Sequence, residues 1–251
     1  MFSTVILSLA SVIGVSLLSF LGILFFLIEE RVIRKILLSF VSFSTGALLG
    51  DVFMHILPDM AERPDVFSRG MHIVLLGILF SFTVEKFIHW RHCHVLPEND
   101  HEHHHSVGIM SALGESVHNF IDAVVIGASF LASTRLGIAT TLAVMFHEIP
   151  HEIGNFAVLL HSGFHRKKAL RLNILSASTA ILGTVCVLVA STQFTSVTDV
   201  LLPFAAGNLL YIAGSDLIPE LHKQTRLHQG VIQLLAMILG MGFMYLVLFL
   251  E

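Results

Sequence analysis

The sequence predicts an all-α integral membrane protein with eight transmembrane helices. Three observations carry that prediction. The 251 residues are 55% hydrophobic and only 13% charged, whereas soluble domains carry about 25% charged residues. Apolar runs long enough to span a bilayer, about 20 residues each, recur along the whole chain. The positive charges fall almost entirely on one side of the resulting zigzag.

The spans are expected at about 4–28, 36–60, 70–90, 107–133, 136–161, 169–193, 198–219 and 230–250, with ends good to roughly 2–4 residues. The first begins a stretch, residues 2–28, without a charge. That is longer than the roughly 7–15 residues of a signal-peptide core, and no basic segment precedes it, so it reads as a retained helix. The last, Gly230 to Leu250, carries no charge at all. Short alternating segments, the mark of a β-barrel, are missing. All eight spans form one transmembrane domain, residues 1–251.

Orientation follows from lysine and arginine. With the N-terminus outside, the cytoplasmic connections hold Arg31, Arg34, Lys35, Lys86, Arg91, Arg166, Lys167, Lys168, Arg171, Lys223 and Arg226. Only Arg63, Arg69 and Arg135 remain outside, a division of eleven to three among the fourteen basic residues. Both termini are therefore expected to be extracytoplasmic, with the chain in the cell (inner) membrane. The formal charge of −4 offers no basic field, so no nucleic acid partner is expected. Cys93 lies in a polar connection and Cys186 in an apolar span, which argues against a disulfide.

The longest polar break is "HCHVLPENDHEHHH", residues 92–105. It is expected to be a flexible, cytoplasmic, His-rich loop. Its imidazoles can bind divalent metal weakly, or it is simply a solvated connector.

Ionisable residues inside spans are costly and mark function by default. Here they concentrate in the fourth and fifth. Span four reads "GESVHNFIDAVVIGASF". Glu115, His118 and Asp122 are spaced i, i+3, i+7 and share a helix face, with Asn119 beside them. Span five reads "VMFHEIPHEIGNFAVLLH". His147 and His151 are four apart, as are Glu148 and Glu152, and Asn155 continues the His stripe. Pro150 has no N–H, so the carbonyl of Phe146 loses its helical donor. Counted from the outer ends of the two spans, His147 and Asp122 both lie about 16 Å deep, near mid-bilayer. Imidazole with carboxylate suits zinc and other first-row divalent ions.

The bland alternative is a set of interhelical hydrogen bonds. It accounts for single residues such as His161, but not for so many ionisable groups on two helices. Weaker signals lie in "GDVFMHILPDM", with Asp51 and His55 on one face of span two, and in span seven. There Asp216 and Glu220 either line an exit or cap and solvate the helix end. His147-Glu148-x-x-His151 also spells a zinc-protease motif, with Glu148 as base. Pro150 inside it disturbs the helix such a site needs. A metal sensor or store that does not transport is the remaining alternative.

"HNFIDA" and "HEIPHE" resemble the paired metal-binding motifs of the ZIP (zinc/iron-regulated transporter-like) family. "GDVFMHILPDM" and "LLYIAGSDLIPEL" are similar to its second and seventh spans. The match is closest to the subgroup with a His-Glu-x-Pro-His-Glu signature. The resemblance implies import of divalent metal toward the cytosol by alternating access, without enzymatic activity or a catalytic cofactor. It implies an inverted repeat in which spans 1–3 mirror 6–8 around the pair 4–5. It makes His118, Asp122, His147 and His151 a primary metal site. Asn119 and Glu148 belong to an adjacent second site sharing Asp122 and His151. His55 is an added ligand from span two, and Glu152 follows the subgroup signature. Zn2+ is the expected cargo, with Fe2+, Mn2+ and Cd2+ as alternatives. Family members with two metal sites carry a glutamate in span six where this chain has Ala180. Ile121 stands where many relatives have proline, and Ala123 where they have glycine. The expected partners are divalent metal ions and the lipid bilayer, with a homodimer as the assembly to test.

Overall fold

The computed structural model describes residues 2–23, 30–93, 100–193, 197–223 and 226–249, and among them there is no strand. Eight long helices follow in order: α1 (Phe2–Ser16), α2 (Glu30–Asp51), α3 (Pro64–Cys93), α4 (Asp100–Ala132), α5 (Thr134–His161), α6 (Arg166–Gln193), α7 (Val197–Tyr211) and α8 (Leu227–Val247). Helix α1 tightens into a 3₁₀ segment, Leu17–Ile23.

Helices α2 and α7 end alike. Each loosens into a π-helical turn, Val52–Ile56 and Ile212–Leu217, and then closes with one short α-turn, Leu57–Ala61 and Ile218–His222. In both closing turns proline stands at the start (Pro58, Pro219), where a missing N–H does little harm.

Seven described helices are long and apolar enough to cross a membrane. The eighth long helix, α5, spans 28 residues and buries His147, Glu148 and Glu152 instead. The bundle turns leucines and isoleucines outward: Leu235, Ile238, Leu239 and Leu246 on α8 are all more than half exposed. Soluble proteins rarely tolerate such a belt, whereas lipid covers it. The chain is a multi-pass membrane protein.

The His-rich stretch is shorter as a connector than expected. Helix α3 runs to Cys93 and α4 begins at Asp100, so residues 92–93 and 100–105 are helical. Residues 94–99 lie outside the described residues. Helix propagation outward from an established span adds one backbone hydrogen bond per residue, which explains how polar residues join it. The end of the expected first span, 24–28, also lies outside the described residues.

Packing sorts the helices into two groups. Helix α4 packs along both α5 and α6, and α1 lies against α4, α5 and α6. The other group joins α2 to α8 and α3 to α7. Two glycine contacts set the second group's spacing. A Cβ on Gly240 of α8 would run into the carbonyl of Phe43 on α2, and one on Gly207 of α7 into that of Val74 on α3. Close backbone approach of this kind replaces hydrophobic driving force inside a membrane. The largest apolar core lies between α2, α5 and α7 (Leu48, Val52, Ala139, Leu202, Leu209), and a smaller one between α1, α4, α5 and α6 (Val15, Ile126, Val144, Ala180).

One residue, Ser133, separates α4 from α5. It is extended (φ −159°, ψ 155°), and its hydroxyl accepts from the Leu136 N–H at 3.1 Å. This N-cap satisfies one of the open donors of α5 and folds the two helices back antiparallel. The ligand-bearing stretches of both helices thereby meet at the same depth.

Candidate metal centre

Helix α4 supplies Glu115, His118, Asn119 and Asp122; α5 supplies His147, Glu148 and His151. Their side chains form two adjoining groups of ligand atoms, each within 4.8 Å of one another. The first is His118, Asp122, His147 and Glu148. The second is Glu115, Glu148 and His151, so Glu148 belongs to both.

The first group approaches a coordination tetrahedron. His147 Nε2 stands 2.8 Å from Asp122 Oδ2 and 3.6 Å from Glu148 Oε1. His118 Nε2 stands 3.6 Å from Asp122 Oδ2 and 3.2 Å from Glu148 Oε1. The two Nε2 atoms are 3.3 Å apart. Zinc bonds of about 2.0–2.1 Å in a tetrahedron place the ligand atoms about 3.3 Å from each other. These five separations scatter around that edge length, and the sixth, Asp122 to Glu148, is within 4.8 Å, so the four residues can share one zinc-sized ion. Two neutral imidazoles and two carboxylates balance a divalent charge, which matters where water is scarce.

Burial points the same way. Both oxygens of Asp122 and both of Glu148 are buried without a hydrogen-bond donor, although the imidazole nitrogens lie close. Buried polar atoms are nearly always satisfied, and a cation among these four oxygens satisfies them.

In the second group Glu115 straddles His151: Oε1 lies 3.1 Å and Oε2 3.0 Å from Nδ1. The His151 ring stacks on that of His118, with centroids 4.3 Å apart and planes 11° from parallel. Asn119 donates to the backbone carbonyl of Glu115 at 3.0 Å and to its Oε1 at 3.4 Å. Both bonds hold Asn119 against Glu115.

The two groups differ in access. The side chains of His147, Glu148 and Asp122 are 0%, 1% and 3% exposed, whereas those of His118 and His151 are 16% and 29% exposed. The exposed imidazoles face two cavities of about 540 and 350 Å³. Both cavities are lined by Glu115, His151 and Asp216; the larger adds Glu220 and the smaller Glu85 and Tyr211. Both linings extend to Ser111 of α4 and Val158 of α5, toward the end of the pair where α5 passes into α6. About one helical turn from Asp122 and His147 in the other direction, Ile126, Ala143 and Val144 are buried.

The remaining expected residues sit elsewhere. His55 lies outside both groups, and its Nε2 bonds the Met244 carbonyl at 3.0 Å. It lines a small cleft of about 160 Å³ with Asp59, Glu62 and Arg135 at the far helix ends. Glu152 accepts a hydrogen bond from Asn173 of α6, which also donates to the Ser19 carbonyl. Asn155 continues this network by donating to Asn173 at 2.7 Å and accepting from Ser111 at 2.8 Å. Ala180 is packed among apolar side chains, so α6 brings no carboxylate there. His147 and His151 fall into different groups, which separates the two imidazoles that a protease motif unites on one ion. Glu115 was visible in sequence as the first member of the α4 face, yet its contact with His151 depends on how α4 and α5 meet.

Fold and centre together define a polytopic helical membrane protein with a divalent-cation ligand set buried in its central helix pair. A family model described as ZIP Zinc transporter matches residues 2–108 and 96–248. The chain is 32% identical to zinc transporter zipt-7.1 of Caenorhabditis briggsae, over 97% of this chain and 79% of that protein. It is 31% identical to the Drosophila melanogaster zinc transporter ZIP13 homolog, over 84% and 77%. It is 28% identical to human zinc transporter SLC39A7, over 87% and 65%. The chain belongs to the ZIP zinc transporter family, a family of transporters and not of enzymes.

Proposed function

We propose that the chain carries Zn2+ across its membrane toward the cytosol by alternating access. The observation that carries this reading is the buried His118–Asp122–His147–Glu148 tetrahedron. It is closed on one side and joined on the other, through Glu115 and His151, to a cavity. In this reading the four residues hold the ion. The group Glu115, Glu148 and His151 then receives it on the way to Asp216 and Glu220. Asn119 positions Glu115, Glu152 ties α5 to α6, and His55 serves as an outer ligand met before the centre.

The direction rests on the eleven-to-three distribution of lysine and arginine, which supports a cavity on the cytoplasmic side and both termini outside. The same reading places the chain in the cell membrane, which fractionation checks. An inverted repeat is supported by the paired π-turns of α2 and α7 and by the matched contacts of α2 with α8 and α7 with α3. Two imidazoles favour zinc or Cd2+ over the harder Mn2+ and Fe2+. A homodimer is tested by mass in detergent.

The deciding experiment is uptake into liposomes loaded with a zinc-sensitive dye. Wild type fills them, and His147→Ala and Asp122→Ala do not. Uptake equal in all three removes the assignment of the centre. Competition with Cd2+, Mn2+ and Fe2+ ranks the cargo.

A further inference from the structure

Pro150 cannot donate to the carbonyl of Phe146, the residue directly before the ligand His147. The structure shows what replaces that donor. Ser44, fully buried on α2, places its Oγ 2.5 Å from the Phe146 carbonyl. The same hydroxyl is 2.7 Å from the Phe40 carbonyl of its own helix. A serine hydroxyl has one proton, so it serves one of these carbonyls at a time.

We infer that Ser44 is a releasable latch between α2 and the ligand helix α5, and so a positioning residue for transport. Donating to Phe146, it fixes α5 in the arrangement seen here, with His118 and His151 facing the cavity. Donating to Phe40, it satisfies itself within α2 and lets α5 go. The contact is reinforced by aromatic packing around it: the Phe146 ring lies 4.7 Å from Phe43 and 5.3 Å from Phe243, both edge-on. Ser44 and Phe43 belong to the helix group that carries neither central ligand cluster, and Phe146 to the group that carries both. The bond therefore sits where the two groups must part if one moves against the other. The transport role rests on the alternating-access reading above; the hydrogen bond itself does not.

The test is a double-mutant cycle on cavity access. Val158 lines both cavities and is 40% exposed. In a background of Cys93→Ser and Cys186→Ala, Val158→Cys reports cavity opening through its rate of labelling by a water-soluble maleimide. Ser44→Ala leaves a buried carbonyl without a donor and slows labelling roughly tenfold. Pro150→Ala gives the Phe146 carbonyl its helical N–H back, and in that background Ser44→Ala changes the rate by less than about twofold. In liposomes Ser44→Ala lowers maximal zinc uptake while leaving KM within about twofold, because no ligand has been touched. Equal slowing in both backgrounds means lost packing only and overturns the latch, as does no slowing in either. If Ser44→Ala does not fold alone, its folding with Pro150→Ala supports the latch and failure of both overturns it. Absent zinc uptake by wild type sinks the transport reading and leaves the labelling cycle to judge the bond.

Discussion

Replacing Glu115 by glutamine keeps the side chain's shape and removes its charge. In the structure the carboxylate grips His151 Nδ1 with both oxygens, at 3.1 and 3.0 Å. Glutamine retains one acceptor and loses the anion that holds the imidazole and helps receive a cation. Loss of such a partner behind a metal-binding histidine weakens metal affinity about 10–100-fold, or about 1.4–2.8 kcal/mol. Calorimetric titration of zinc into the purified protein should show that loss in the weaker of two binding steps. The step assigned to His118, Asp122, His147 and Glu148 should change little. Glu152→Gln is the matched control. It removes a similarly buried acid from the neighbouring helix α5, but one held by Asn173. It is expected to alter thermal stability and to leave zinc affinity within about twofold, since it touches no metal ligand. Equal zinc affinities for Glu115→Gln and wild type, with unchanged uptake, would show that Glu115 has no part in the centre.

Three further outcomes are expected. His55→Ala should slow uptake from low zinc concentrations while leaving equilibrium binding at the centre intact, because His55 lies outside both ligand groups; a parallel titration separates the two effects. Zinc needs the lone pairs of His118, His147 and His151, and a proton on any of them competes. Uptake is therefore expected to fall as the medium is acidified, read from initial rates between about pH 7.5 and 5.5. Gly240→Val should lower the melting temperature in detergent, by a loss of about 1–3 kcal/mol or more, because its side chain meets the α2 backbone. Gly242→Ala, two residues on with open space around it, should be neutral.

What could be read from sequence was what is local. Apolar runs and the placement of lysine and arginine define spans without knowledge of neighbours, and eight long helices occupy the expected positions. The faces of α4 and α5 were also legible, because helical spacing alone sets them. The partition of ligands was not. His151 was expected beside Asp122, yet it pairs with Glu115, and Glu148 takes the place beside His147. Successive helix positions differ by about 100° of rotation, so a modest turn of α5 about its axis exchanges neighbours without altering either face. The π-turns of α2 and α7 were hidden for a related reason: the prolines that follow them announce a helix ending, but not the extra residue before it. Pro150 shows both sides of this limit. Its missing N–H, and the open carbonyl at Phe146, follow from covalent structure and were readable at once. The donor, Ser44, lies 102 positions away in the chain and is supplied by packing alone. A sequence states which backbone groups its own helix cannot satisfy; only the assembled bundle states which helix does so. In this chain that helix is α2.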